Sequence, residues 1–275
     1  MGFVNGLVGS CKIRPSRSGA KSVRLSFNTP PLSFNTPPQK RESLMPRLAD
    51  TKALTFDLFG TVLDLGGSLT PFIAEFLSDV EATVAAEEFW EHWRLRQRLE
   101  QFQDTIMQLG HSGYLETVRR AAAYTLKRHH IPATDDTLQA LMAAWPHLQP
   151  FPEVIAALER LQKSYRLVVL SNGDPEFLQQ LVSNQVRWAF DDIISVTTAG
   201  AFKPHPAVYR GAARDLGLEV GECLMVSANS FDVVGARACG FRAALVDRYR
   251  QPYEDSPFRP DLTVDDFTQL ADQLC

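Results

Sequence analysis

The stretch ALTFDLFGT at residues 53–61 decides the fold. Its first four residues are an uncharged run of the kind that makes a strand buried on both faces. An acid, Asp57, follows at once, and then Gly60, which permits a tight turn out of the strand. The pattern recurs downstream. Apolar runs at 167–170, 193–196, 224–226 and 243–246 read as four more buried strands, with helical patterns between them. Alternation of this kind predicts an α/β fold, a Rossmann-like doubly wound parallel sheet with helices on both faces.

Working outward from that first strand, the roughly hundred residues before the second are nearly all helical in pattern. Leu95, Leu99, Phe102, Ile106 and Leu109, for example, fall at spacings of four and three. Residues 67–149 are therefore read as an inserted all-helical cap domain, with Pro150 and Pro152 marking the return to a catalytic core of 50–66 and 150–275. Residues 1–49 differ in kind. They hold Lys12, Arg14, Arg17, Lys21, Arg24, Lys40, Arg41 and Arg47 against the single acid Glu42, and they repeat LSFNTPP at 25–31 and 32–38. Such a basic, Ser-rich, acid-poor stretch reads as a disordered tail or a transit peptide; Met45 is an alternative start. The body is assigned to the cytoplasm, or to a mitochondrion if the tail acts as a transit signal.

Charge and composition exclude several classes. Of the 28 basic and 32 acidic residues, 20 and 31 remain once the first 49 positions are set aside, and an acidic body disfavours nucleic acid. The longest uncharged apolar runs fall short of the roughly 18 residues a membrane helix needs. Cys11, Cys223, Cys239 and Cys275 show no close pairing, and the six histidines show no ligand spacing, so no metal site or cofactor is expected.

In an open parallel sheet, functional groups collect beyond the carboxyl ends of the strands. Four segments deliver polar residues there: Asp57; Ser171 and Asn172; Lys203; and Ser227 through Asp232. A single Asp after a strand is commonly a helix cap, but joint placement of all four is hard to obtain from capping alone. The runs FDLFGT at 56–61, LSNG at 170–173, FKPHPAVY at 202–209 and VSANSFDVVGA at 226–236 resemble, in order, the four motifs of the haloacid dehalogenase superfamily. Most of that superfamily are magnesium-dependent phosphatases, with a second Asp two residues after the nucleophile and another in the fourth motif. Here those positions are Phe59 and Ser227–Ala228, so hard-cation ligands are missing. The sequence is similar instead to the L-2-haloacid dehalogenases, and WRLRQ at 93–97 resembles the cap segment that supplies a halide-binding arginine.

That resemblance implies a reaction and a set of roles. Asp57 would displace halide from the α-carbon of a small L-2-haloalkanoic acid, and water would cleave the resulting ester, giving the inverted 2-hydroxy acid without a metal. Asp232 would act as base or water orienter, Lys203 would keep Asp57 ionised, and Thr61 would orient it. Tyr209, Ser227 and Asn229 would position these groups. Arg94 and Asn172 would receive the halide, Ser171 the carboxylate, and Phe59 and Phe231 would line the pocket, although family members more often carry Tyr and Trp at those two positions. A homodimer is an assembly the resemblance allows. Two rivals stand beside this reading: a magnesium-dependent phosphatase, and a non-catalytic binding relative.

Overall fold

The computed structural model describes residues 48–275. The duplication and the transit reading of the tail lie outside the described residues. Six strands form one parallel sheet: β1 (Ala53–Phe56), β4 (Arg166–Ser171), β5 (Asp192–Ser195), β6 (Cys223–Ser227), β7 (Arg242–Val246) and β8 (Leu262–Val264). Their order is β5-β4-β1-β6-β7-β8, so the chain starts in the middle and winds to both sides. Five of these strands stand within a residue or two of the apolar runs. The sixth, β8, is a three-residue edge strand exposed at Thr263, too short to leave a periodic signal.

The sheet is buried on both faces because successive side chains alternate between them. Leu54, Phe56, Leu167, Val169, Leu224 and Val226 belong to one apolar cluster; Ala53, Val168, Leu170, Cys223 and Met225 belong to the other. Helices α5 (Val154–Leu161) and α9 (Phe267–Leu274) cover the first face, and α7 (Pro206–Leu216) and α8 (Ser230–Ala238) cover the second. α6 (Pro175–Leu181) packs beside β5.

Between β1 and β4 run four helices: α1 (Leu65–Asp79), α2 (Ala86–Ile106), α3 (Tyr114–Arg128) and α4 (Asp135–Met142). A two-stranded antiparallel ribbon, β2 (Leu63–Asp64) with β3 (Gln149–Pro150), pairs Leu63 with Pro150 and Asp64 with Gln149, and so clamps the two ends of this helical segment together. Trp93 and Trp145, both essentially unexposed, meet edge to face at 5.8 Å between ring centroids and join the helices to the sheet's first core.

The helical reading of 95–109 holds over most of that span, but its apolar residues are not the buried ones. Leu95, Leu99, Ile106 and Leu109 are 57%, 43%, 79% and 63% exposed. The inward side of α2 is polar from its middle onward, where Gln97, Glu100, Gln101 and Asp104 are buried. An inverted helix is a local conflict of the kind expected at functional sites.

Candidate active site

β1 occupies the point where the sheet order reverses, with β4 on one side and β6 on the other, and its carboxyl end opens the crevice in which such sheets hold ligands. Asp57 is the first residue beyond it. Its amide still donates to Val226 O at 3.0 Å, which extends the β1–β6 pairing by one residue and holds its backbone. Gly60 turns the chain with φ of +86°, and the Tyr249 hydroxyl sits 2.8 Å from where a Cβ would be, so a larger residue here is both strained and obstructed.

The two oxygens of Asp57 are treated differently. Oδ2 accepts from Thr61 Oγ1 at 3.1 Å and from Asn229 Nδ2 at 2.8 Å. Among the described residues, Oδ1 faces only the ammonium of Lys203, at 3.5 Å. Lys203 is 1% exposed and reaches Asp232 Oδ2 at 2.9 Å; Tyr209 donates to Asp232 Oδ1 at 2.7 Å. Burial raises the pKa of Asp232, against the opposing charge of Lys203, with the charge of Asp57 adding to the rise. Tyr209 is likewise pushed well above the ordinary phenol range, by burial and then by the Asp232 charge. Thr61 Oγ1 accepts from Ala228 N at 2.9 Å, and Ser227 Oγ from Asn229 N at 3.1 Å, so the β6–α8 turn is tied to the β1 turn.

The structure therefore brings Asp57, Thr61, Lys203, Tyr209, Ser227, Asn229 and Asp232 into one connected network. Asn172 joins it: Oδ1 accepts from Lys203 N at 2.9 Å, and one Nδ2 hydrogen is donated to Gln101 Oε1 at 3.1 Å. Ser171 lies at the end of β4, fully buried, with its hydroxyl lacking a partner. Phe59 stacks on Tyr114 of α3 at 4.0 Å, and Phe231 meets Phe102 of α2 edge to face at 5.5 Å.

The three arginines of the WRLRQR run separate cleanly. Arg96 turns along the helix to the largely buried Glu100. Arg94 donates to Gln97 Oε1 at 2.9 Å and to Phe59 O at 3.4 Å. Arg98, which sequence spacing does not single out, donates to Asn229 Oδ1 at 2.7 Å and so is joined to Asp57 through Asn229. Its pKa is lowered to about 10 by burial and then by the charge of Arg94, which still leaves it cationic at neutral pH. Around these groups, Tyr114 Oη, Gln97 Nε2, Arg98 Nε and Ser171 Oγ are buried without partners among the described residues. Gln97, Gln101 and Tyr114 escape a sequence reading because each lies inside an ordinary helix. The only signal was the polar stripe 97, 100, 101, 104, at the same helical spacing as the apolar one. Beside Arg94, Arg98 and Asn229 lies a half-open cavity of about 410 Å³, lined also by Trp90, Tyr249 and Tyr253.

Comparison with known proteins shows the family. The model of the haloacid dehalogenase-like hydrolase family matches residues 51–240. The chain is similar to (S)-2-haloacid dehalogenase H-109 of Pseudomonas putida, at 30% identity over 225 residues, covering 81% of this chain and 97% of that one. It is 34% identical over 206 residues to (S)-2-haloacid dehalogenase of Xanthobacter autotrophicus, covering 73% and 76%. Among solved structures, L-2-haloacid dehalogenase of Xanthobacter autotrophicus with chloropropionic acid covalently bound superposes with a TM-score of 0.70 at 27% identity, covering 82% of this chain and 98% of that one.

Proposed function

This chain belongs to the haloacid dehalogenase-like hydrolases and is a hydrolase acting on carbon–halide bonds; from that premise we propose that it converts small L-2-haloalkanoic acids into 2-hydroxy acids through an ester on Asp57. The observation that carries the mechanism is the asymmetry of Asp57. Oδ2 is held by two donors, while Oδ1 meets only a charge at 3.5 Å and keeps its lone pairs free, as a nucleophile requires.

Oδ1 attacks the α-carbon, the carbon–halogen bond breaks, and halide leaves with the bonding pair. Arg94 and Arg98 supply positive charge for it. Ser171 Oγ, with Gln97 Nε2 and Tyr114 Oη, offers donors for the substrate carboxylate; all three are buried and unpartnered, which is costly unless a ligand satisfies them. Water then attacks the ester carbonyl, Asp232 takes its proton, and the alkoxide departs with a proton returned from the site. The raised pKa of Asp232 makes it a better base than an ordinary aspartate. One displacement at carbon inverts the centre once.

The metal-free reading rests on Phe59, Ser227 and Ala228, which bring no carboxylate beside Asp57 and would leave a hard divalent cation short of oxygen ligands. The same feature weighs against the phosphatase alternative. The division into a core at 50–66 and 150–275 and a cap at 67–149 belongs to this proposal, with catalysis on the first and most of the substrate's polar donors on the second. A homodimer would use the exposed apolar stripe of α2, and light scattering on the purified chain reads its mass directly.

The test is halide release from L-2-chloropropionate and chloroacetate in EDTA. Release of chloride with formation of D-lactate from the L-substrate supports the reading. Absence of chloride above an Asp57→Asn control, or magnesium-dependent release of phosphate from an aryl phosphate instead, overturns it.

A further inference from the structure

Outside the active site, a side-chain cluster among the described residues stands unused. Glu88 and His92 lie one turn apart on α2 and so share a face, and His129 caps the carboxyl end of α3. Their ligating atoms all fall within 4.8 Å of one another. The histidines are 37 positions apart in the chain, so the fold creates a ligand grouping that no sequence spacing shows.

We propose that Glu88, His92 and His129 bind a divalent transition-metal ion of the zinc class, which cross-links α2 to α3. The two imidazoles and one carboxylate are the donors that such borderline ions favour over magnesium or calcium, and water completes a tetrahedron. His92 Nδ1 and His129 Nε2 are 2.9 Å apart, a hydrogen bond, so one nitrogen carries the proton and the other presents a lone pair. Arg128 donates to His92 Nε2 at 3.1 Å, which assigns the His92 proton to Nδ1 and the free lone pair to His129.

Two small rearrangements make the site. The proton of His92 moves from Nδ1 to Nε2, leaving Nδ1 to coordinate, and the exposed Arg128 side chain gives up its hydrogen bond to that ring. Metal–nitrogen bonds of about 2.0–2.1 Å set tetrahedral nitrogens roughly 3.4 Å apart, so the ring pair opens by about half an ångström. His129 is backed by Phe89 at 5.7 Å between ring centroids, and the exposed Glu88 has the freedom to close the remaining distance. The consequence is mechanical. A tie at the first half of α2 fixes the rotation of the helix that carries Arg94, Gln97 and Arg98.

The proposal is independent of haloacid turnover and is tested by binding. Tag-free full-length protein, freed of metal with EDTA, is titrated with Zn²⁺ by calorimetry and with Co²⁺ by visible absorption. The expected result is one ion per chain, a tetrahedral cobalt spectrum without a thiolate charge-transfer band, and a melting temperature raised by Zn²⁺ but not by Mg²⁺. His92→Ala and His129→Ala should each weaken binding by roughly tenfold or more, and Glu88→Gln by less, with helical content unchanged by circular dichroism. No saturable binding, or binding that survives both histidine substitutions intact, overturns it.

Discussion

At the sheet edge, every carboxylate oxygen of Asp57 and Asp232 has a donor or a cation beside it, and the Thr61, Asn229 and Tyr209 donors are each tied in turn to backbone. On the facing side, α2 and α3 bury Gln97, Arg98 and Tyr114 with atoms that have no hydrogen-bond partner among the described residues. Apart from the Ser171 hydroxyl, the first region is satisfied as it stands. The second is complete only with a small polar anion in place, and its unpartnered donors cost free energy until one arrives. Under the proposed function, the difference locates the two roles: the sheet would supply a preorganised nucleophile, and the helices most of the specificity.

Substitutions can break this contrast at either side. The largest effect belongs to Asp57→Asn, expected to lower the halide-release rate by about 10⁴-fold or more while leaving the fold intact by circular dichroism. Next comes Lys203→Met, which leaves two buried carboxylates facing each other. It should cost roughly 10²-fold in kcat and about 3–5 kcal/mol in urea unfolding, so it damages stability and rate together. On the helical side, Arg94→Lys and Arg98→Lys should each reduce kcat/KM by about tenfold with unchanged melting temperature, since a lysine cannot reproduce the guanidinium fork. If only Arg98→Lys is affected, the halide role passes from Arg94 to Arg98.

The pH profile sharpens the contrast further. Asp232 must be ionised to take a proton from water, and burial raises its pKa. The rate should therefore fall as pH drops, with an apparent pKa above that of an ordinary aspartate, in a stopped-flow series on the hydrolytic step. The smallest expected effect is the most diagnostic for the helices. Tyr114→Phe removes an unpartnered buried hydroxyl and should raise stability by about 1 kcal/mol while raising KM a few fold. A loss of stability instead would mean the hydroxyl is satisfied without substrate.

The same contrast explains what could be read from the chain alone. The sheet-edge groups sit in contiguous runs at strand ends, where period and position announce them: Asp57 after Phe56, Ser171 after Leu170, Ser227 after Val226. Lys203 was reached through its motif, and its contact with Asp232 followed from the fold. The helical side gave only Arg94. Helical spacing marks both stripes of α2, and hydrophobicity favours burying the leucines, so the inversion that turns Gln97, Gln101 and Arg98 inward is set by tertiary partners such as Asn172 and Asn229. The His92–His129 pair was invisible for the same reason, since two different helices meet to make it. β2, β3 and β8 were missed because two or three residues carry no period.

The central claim is that Asp57 itself forms the bond to carbon, and a single turnover in H₂¹⁸O with enzyme in excess tests it most directly. The account predicts ¹⁸O in the peptide that contains Asp57, where water has attacked the ester carbonyl, and ¹⁶O in the hydroxyl of the first product. Label in the product hydroxyl, with Asp57 unlabelled, would contradict it, because water rather than the carboxylate would then have displaced the halide.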